Sequence, residues 1–211
     1  MSISHRRRGS GPVRHGHEAG QSLVEFALVF PLFMLLMLFL IEFAFVFSAL
    51  LGVNYASRNA ALTAAEAGHQ TTADCVILQD VEDSIGAPGN SANITTVTIY
   101  LSDQSGSKRL QTLTYTRGAG TTTCGTTTLS VPYAQTGGTY TYDQRCDEIL
   151  PEGGVYLPGT RCDLLGRNHI DTIGVEITYH HSWVTPIHNF GLAGTGATLK
   201  QSNAMRMEPI L

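Results

Sequence analysis

Three sets of residues in this chain have types and spacing that could do chemistry. The first is His180, His181 and His188 with Asp171, which together would offer a metal site. Neighbouring residues of a strand point to opposite faces, so His180 and His181 do not readily share one ion. Hydrogen-bonded or solvent-exposed histidines are the expected state. The second set is the four cysteines, Cys75, Cys124, Cys146 and Cys162, all on one side of a long apolar run. An even number so placed predicts disulfides in an oxidising compartment, with three possible connectivities. The third set is a pair of carboxylates, Glu25 at the near edge of the apolar run and Glu42 within it. A charge at the edge of such a run is costly, and it needs a partner or a purpose. The glycine-rich GLAGTG at 191–196 follows no strand–helix pattern that would cradle a phosphate, and reads as a loop. No nucleophile, base and orienting group stand together. The sequence therefore predicts no catalytic residue, no metal and no cofactor.

The apolar run positions the carboxylates. From Phe26 to Val53 only Glu42 is charged. As a helix these residues reach about 42 Å, against a bilayer hydrocarbon core of about 30 Å. Glu42 then falls about 28 Å beyond a core edge near Leu23, close to the outer interface. There it either reaches water or pairs with another subunit inside the membrane. Pro31 removes one backbone donor and predicts a kink in the helix. Arg6, Arg7, Arg8 and Arg14 precede the run, and Arg58 is the first basic residue after it. That asymmetry places the N-terminus in the cytoplasm and the body outside. The apolar run is too long for an ordinary secretory signal, and its small residues, Ala19 and Gly20, lie before it.

The remaining elements follow in order. NYASRNAALTAAEAG continues the helix to about residue 67 with a narrow alanine face, and Gly68 is its expected C-cap. Residues 72–86 read as a second helix, with Cys75, Val76, Leu78, Val81 and Ile85 apolar. Period-two runs at 94–101 and 109–116 predict a β-hairpin turned by SDQSGSK. A β-prone stretch follows at 127–131, then a Gly-, Pro- and Tyr-rich loop over 134–168. A loop of that length needs a staple, and Cys146–Cys162 is the local candidate. Residues 170–183 form the strongest strand signal, and 197–208 close the chain as a strand or short helix. The expected fold class is α+β: a long N-terminal transmembrane helix and an extracytoplasmic, mostly antiparallel β domain. The expected division is a cytoplasmic basic leader over 1–20, a transmembrane and projecting helix over 21–67, and an extracytoplasmic domain over 68–211. The formal net charge of −4 gives no large basic surface for nucleic acid.

Gly20, Gln21, Ser22, Leu23, Val24, Glu25 and Phe26, then ALVFPLF and IEFAF, resemble the TadE-like family of pilus-assembly proteins. These are pseudopilins or minor pilins of tight-adherence (Tad/Flp) systems. The Ala-rich stretch with Arg58, Asn59, Ala60 and Ala61 and the closing NAMRMEP (203–209) are also similar to family members. Where members often carry a basic residue after the I-E-F pair, this chain has Ala44, Phe45 and Val46. The resemblance implies cleavage between Gly20 and Gln21 by a membrane prepilin peptidase, which makes Glu25 the fifth residue of the mature chain. A carboxylate there pairs with the new α-amino group of a neighbouring subunit and sets the assembly register. It also implies other Tad pilus subunits and assembly proteins as partners, a single pass through the bacterial cytoplasmic membrane and incorporation into a surface pilus.

Two other functions fit the same residues. One is an unprocessed single-pass protein whose outer domain binds a ligand through Tyr133, Tyr140, Tyr142, Tyr156 and Trp183. The other is a membrane-bound assembly factor that stays out of the fibre. Processing separates the pilin reading from both.

Overall fold

The computed structural model describes residues 18–86, 89–106, 108–123, 130–148, 161–167, 169–185 and 194–208. It divides into two compact units, Met1–Ile41 and Glu42–Leu211. A helix, α1, runs over Glu18–Ala67 and contributes to both. In the first unit residues 20–37 are exposed on every side, from Leu23 and Val24 to Leu36 and Met37. Phe26 and Phe30, one turn apart, are in ring contact at 5.3 Å. The helix is continuous through Pro31, although proline leaves the Ala27 carbonyl without its usual donor.

In the second unit α1 changes character. Ala49, Val53, Ala56, Ser57, Ala60, Ala61 and Ala64 are buried, and their three- and four-residue spacing puts them on one face. Phe43, Phe47, Leu51, Tyr55 and Leu62 stay exposed on the other. Gly68, with φ at 54°, ends the helix as a C-cap should. A second helix, α2, covers Ala73–Ser84. Its inner face is Cys75, Ile77, Leu78 and Val81; Val76, expected inside, is exposed because the helical period turns it outward. Thr63 Oγ1 donates to Asp80 Oδ2 at 2.9 Å and ties α1 to α2.

The sheet has five strands: β1 (Ile94–Ser102), β2 (Arg109–Thr123), β3 (Ser130–Gly138), β4 (Thr172–Ser182) and β5 (Gly196–Arg206). Their order is β3-β2-β1-β4-β5, and every pairing is antiparallel. Opposite Val97 stand Tyr115 and Ile177, and opposite Ile99 stand Leu113 and Val175, so one face carries an unbroken apolar patch. These side chains and the alanine face of α1 belong to one core. The other face is rich in threonine, with Thr98 against Thr114 at 3.2 Å and Thr116 against Thr136 at 2.8 Å. There Tyr100 is nevertheless buried: it lies over Gly174, where a Cβ would come within 2.2 Å of its ring. Arg109 covers the same ring at 4.4 Å and pairs with Glu176 at 2.6 Å.

Two expectations are corrected. β2 continues to Thr123, because a register break between Arg117 and Thr122, with Gly118 at φ 76°, absorbs the glycine-rich segment expected as loop. β3 occupies Ser130–Gly138, five residues into the expected loop, while residues 127–129 lie outside the described ones. The final element, left open between strand and helix, is the strand β5.

Cys146 and Cys162 form a disulfide across a separation of 16 residues, with Cα atoms 5.0 Å apart. Cys75 is also disulfide-bonded, and Cys124 lies outside the described residues. Closing a loop of this length contributes about 3 kcal/mol, mainly by restricting the unfolded chain. Replacing both Cys146 and Cys162 by Ser is expected to lower the unfolding free energy by about that amount, read as a lower urea midpoint. An unchanged midpoint would show that the bridge restrains nothing.

Glu82 on α2 accepts from Arg117 Nε at 2.8 Å and from Tyr133 Oη at 2.7 Å, bracing α2 on β2 and β3. Burial pushes its carboxyl up, but these donors outweigh burial and hold it below the usual glutamate value. A depressed acid contributes stability above its unfolded pKa and loses it as pH falls through the folded one. Stability is therefore expected to drop as pH falls below about 4.5, with a smaller drop in Glu82→Gln. Equal pH profiles in chemical denaturation would exclude this.

Candidate functional site

Glycine at position 20 leaves open space: no heavy atom lies within 4 Å of where a Cβ would stand. One helical turn places Gln21 beside Glu25, and Gln21 Nε2 donates to Glu25 Oε1 at 3.0 Å on an exposed surface. The structure thus brings together two of the residues singled out in the sequence. Gly20, Gln21 and Glu25 are all solvent-accessible.

Glu42 has partners within its own chain. Its Oε1 accepts from the Val184 N–H at 3.0 Å, and its Oε2 from the Thr185 N–H at 2.8 Å. His181 Nε2 lies 3.4 Å from Oε1. The side chain is 5% exposed. The segment just past β4 turns so that two successive amides face the carboxylate, and such paired donors hold an anion without a formal cation. These contacts come from residues of its own chain, which the sequence did not single out as its partners. The signal was hard to find, because backbone donors leave no mark in a sequence.

The histidines separate as strand alternation requires. His181 is buried beside Glu42, whereas His180 is half-buried on the opposite face. His188 lies outside the described residues. Asp171 is enclosed by Tyr140, whose hydroxyl donates to it at 3.2 Å, by the Cys146 N–H at 2.9 Å and by Arg167. Burial nevertheless pushes its carboxyl above the usual aspartate value.

Beneath the α1–α2 turn lies a polar cluster that sequence reading missed. Arg145 is fully buried, pairs with Asp74 and donates to the Gly68 carbonyl at 3.2 Å. Tyr115 Oη donates to the same Asp74 at 2.9 Å, and burial followed by that carboxylate raises its phenol pKa. Asp147 accepts from the His69 N–H at 2.7 Å and contacts the His69 ring at 2.6 Å. Cys146 sits between these two anchors, so one tripeptide carries the disulfide and both polar ties. Charged residues flanking a cysteine in a loop were the available signal. Of the aromatic residues considered for ligand stacking, Tyr133 and Tyr140 are fully buried and offer no face. Tyr142 and Trp183 are half-buried, and Tyr156 lies outside the described residues.

The elements define an α+β protein with a long apolar N-terminal helix and a five-stranded antiparallel domain. The helix is long and apolar enough to cross a membrane, with a mean hydropathy of 2.6 in its most apolar window. Residues 20–62 match the family model described as TadE-like protein. The matched segment is α1 from Gly20 past Glu42 into the alanine face. No curated protein and no solved structure matches the chain.

Removing the Glu42 carboxylate would leave two amides and a buried histidine without their acceptor. Glu42→Ala is expected to cost about 1–3 kcal/mol and to speed amide hydrogen exchange at Val184 and Thr185. Unchanged exchange at those two positions would mean that the carboxylate does not hold this turn.

Proposed function

We propose that this chain is a minor pilin or pseudopilin of a tight-adherence pilus, made with a leader that a prepilin peptidase removes after Gly20. The observation that carries the reading is the TadE-like match over residues 20–62, which begins at the proposed cleavage site. Two features support it. Gly20 is unobstructed, and an unbranched residue suits the narrow cleft of a protease. Glu25 is exposed and its Oε1 accepts from the neutral Gln21 amide, so a cationic partner can reach it. After cleavage that partner is the α-amino group of an adjacent subunit, and the ion pair sets the axial register. Glu42 is already engaged inside its own chain, which leaves Glu25 for assembly.

The span is anchored in the cytoplasmic membrane with its arginine-rich N-terminus inside and the disulfide-bonded domain outside. The exposed outer stripe of α1, with Leu51, Tyr55 and Leu62, is the face offered to other pilus subunits. Partners are the other Tad subunits and assembly proteins, the prepilin peptidase and the bilayer.

Intact mass and N-terminal peptide mapping test this in cells with and without the peptidase. The expected result is a peptidase-dependent start at Gln21 that Gly20→Val abolishes. A chain that still starts at Met1 or Ser2 beside active peptidase would overturn the pilin reading, in favour of an unprocessed ligand-binding protein or an assembly factor.

A further inference from the structure

From a core edge near Leu23 to Ile41 a helix reaches about 27 Å, which matches one hydrocarbon core. Glu42 is the next residue, and its carboxylate is held by the amides of Val184 and Thr185. The segment just past β4 is thereby tied to α1 at Glu42, the residue that follows Ile41. What stands there is apolar and aromatic. Val184 is 63% exposed, although its own amide is tied to a buried carboxylate. Trp183 packs edge-on to His181 at 6.0 Å, and its indole N–H donates to the Gly194 carbonyl at 2.5 Å. On the helix, Phe43 follows Glu42 directly, is 68% exposed and stacks on Phe47 at 6.2 Å.

We propose that Trp183, Val184 and Phe43 form a foot that dips into the outer interface of the bilayer and sets the depth of the folded domain. The inference rests on the membrane-anchored reading above. Three observations favour lipid as the occupant. Tryptophan with a satisfied N–H is the side chain best suited to the headgroup–acyl boundary. The β5 residues opposite this end of β4 are Gly196 and Ala197, which are small and uncharged. Among the described residues of the turn, Trp183–Thr185 and Gly194–Thr195, none is charged. The buried Glu42 carboxylate lies behind this surface with its oxygens already bonded, and does not oppose the approach.

The chain contains one tryptophan, so the native protein reports on itself. The full chain is reconstituted in phosphatidylcholine vesicles carrying bromine either near the carbonyl end or near the methyl end of the acyl chain. Flotation first establishes anchoring. The expected result is a fall of about twofold or more in Trp183 emission with shallow bromines, a smaller fall with deep ones, and weak quenching by aqueous iodide. Val184→Asn is expected to reduce the shallow quenching at an unchanged melting temperature. Floating vesicles whose Trp183 emission yields to iodide and ignores both lipids would overturn the foot and leave the anchor intact. Emission that instead tracks the protein-to-lipid ratio would assign the surface to a second copy of this chain, and also overturns it. Failure to float would remove the membrane reading and the foot together.

Discussion

A helix can lie flush on a sheet only where its side chains are short. The face of α1 built from Ala49, Val53, Ala56, Ala60 and Ala64 meets that condition, and the second unit depends on it. A single antiparallel layer cannot bury both faces by itself. Ile99, Leu113, Val175 and Ile177 need a cover, and α1 with α2 provides it. Alanine contributes little area of its own. Its value is the close approach that lets the larger sheet residues reach the helix backbone and exclude water.

A smooth alanine face has a weakness: it carries few knobs to fix the helix along or across the sheet. Polar contacts supply that register at several heights. Glu42 grips the end of β4, Asn203 of β5 donates to Ser57 Oγ at 2.6 Å, and the Glu208 N–H donates to the Ala65 carbonyl at 3.1 Å. At the top, Arg145 reaches the Gly68 carbonyl, so carbonyls of the last turn find donors outside the helix. These ties are directional where the apolar contact is not. Removing one partner of such a pair leaves a buried group unsatisfied, which is why each is worth more as a locator than as a net contribution to stability.

The fold was legible wherever hydrophobic period decided it. The apolar run, the alanine face, Gly68 as a cap, α2 and the β1–β2 hairpin all follow from spacing, and the strength of β4 was plain in IDTIGVEITYHHSW. The extension of β2 past Gly118 was not, because glycine and repeated threonine give no alternation, and pairing with β3 decides the matter. The site was legible in part. Glu25 and Glu42 stood out as charges against an apolar background, but the partners of Glu42 are 142 and 143 residues away and donate from the backbone. The Arg145–Asp74 pair was invisible for a related reason: a buried ion pair between a helix and a segment 71 residues away has no local pattern.

The treatment of Glu42 also bears on why no basic residue follows it at Ala44, Phe45 or Val46. A carboxylate at the outer edge of a lipid-matched segment needs donors, and a lysine or arginine nearby on the helix is one solution. That solution brings a second charge to be desolvated and a long side chain to be ordered. Two backbone amides just past a paired strand avoid both costs, since they are neutral and carry no long side chain to be ordered. The same arrangement spends the carboxylate on joining helix to sheet, so the helix can change from a surface exposed on all sides to a two-faced one within a single turn. In this chain that change falls between Ile41 and Glu42, where the two units divide. The residue with the least freedom in the apolar run is therefore its one charged residue.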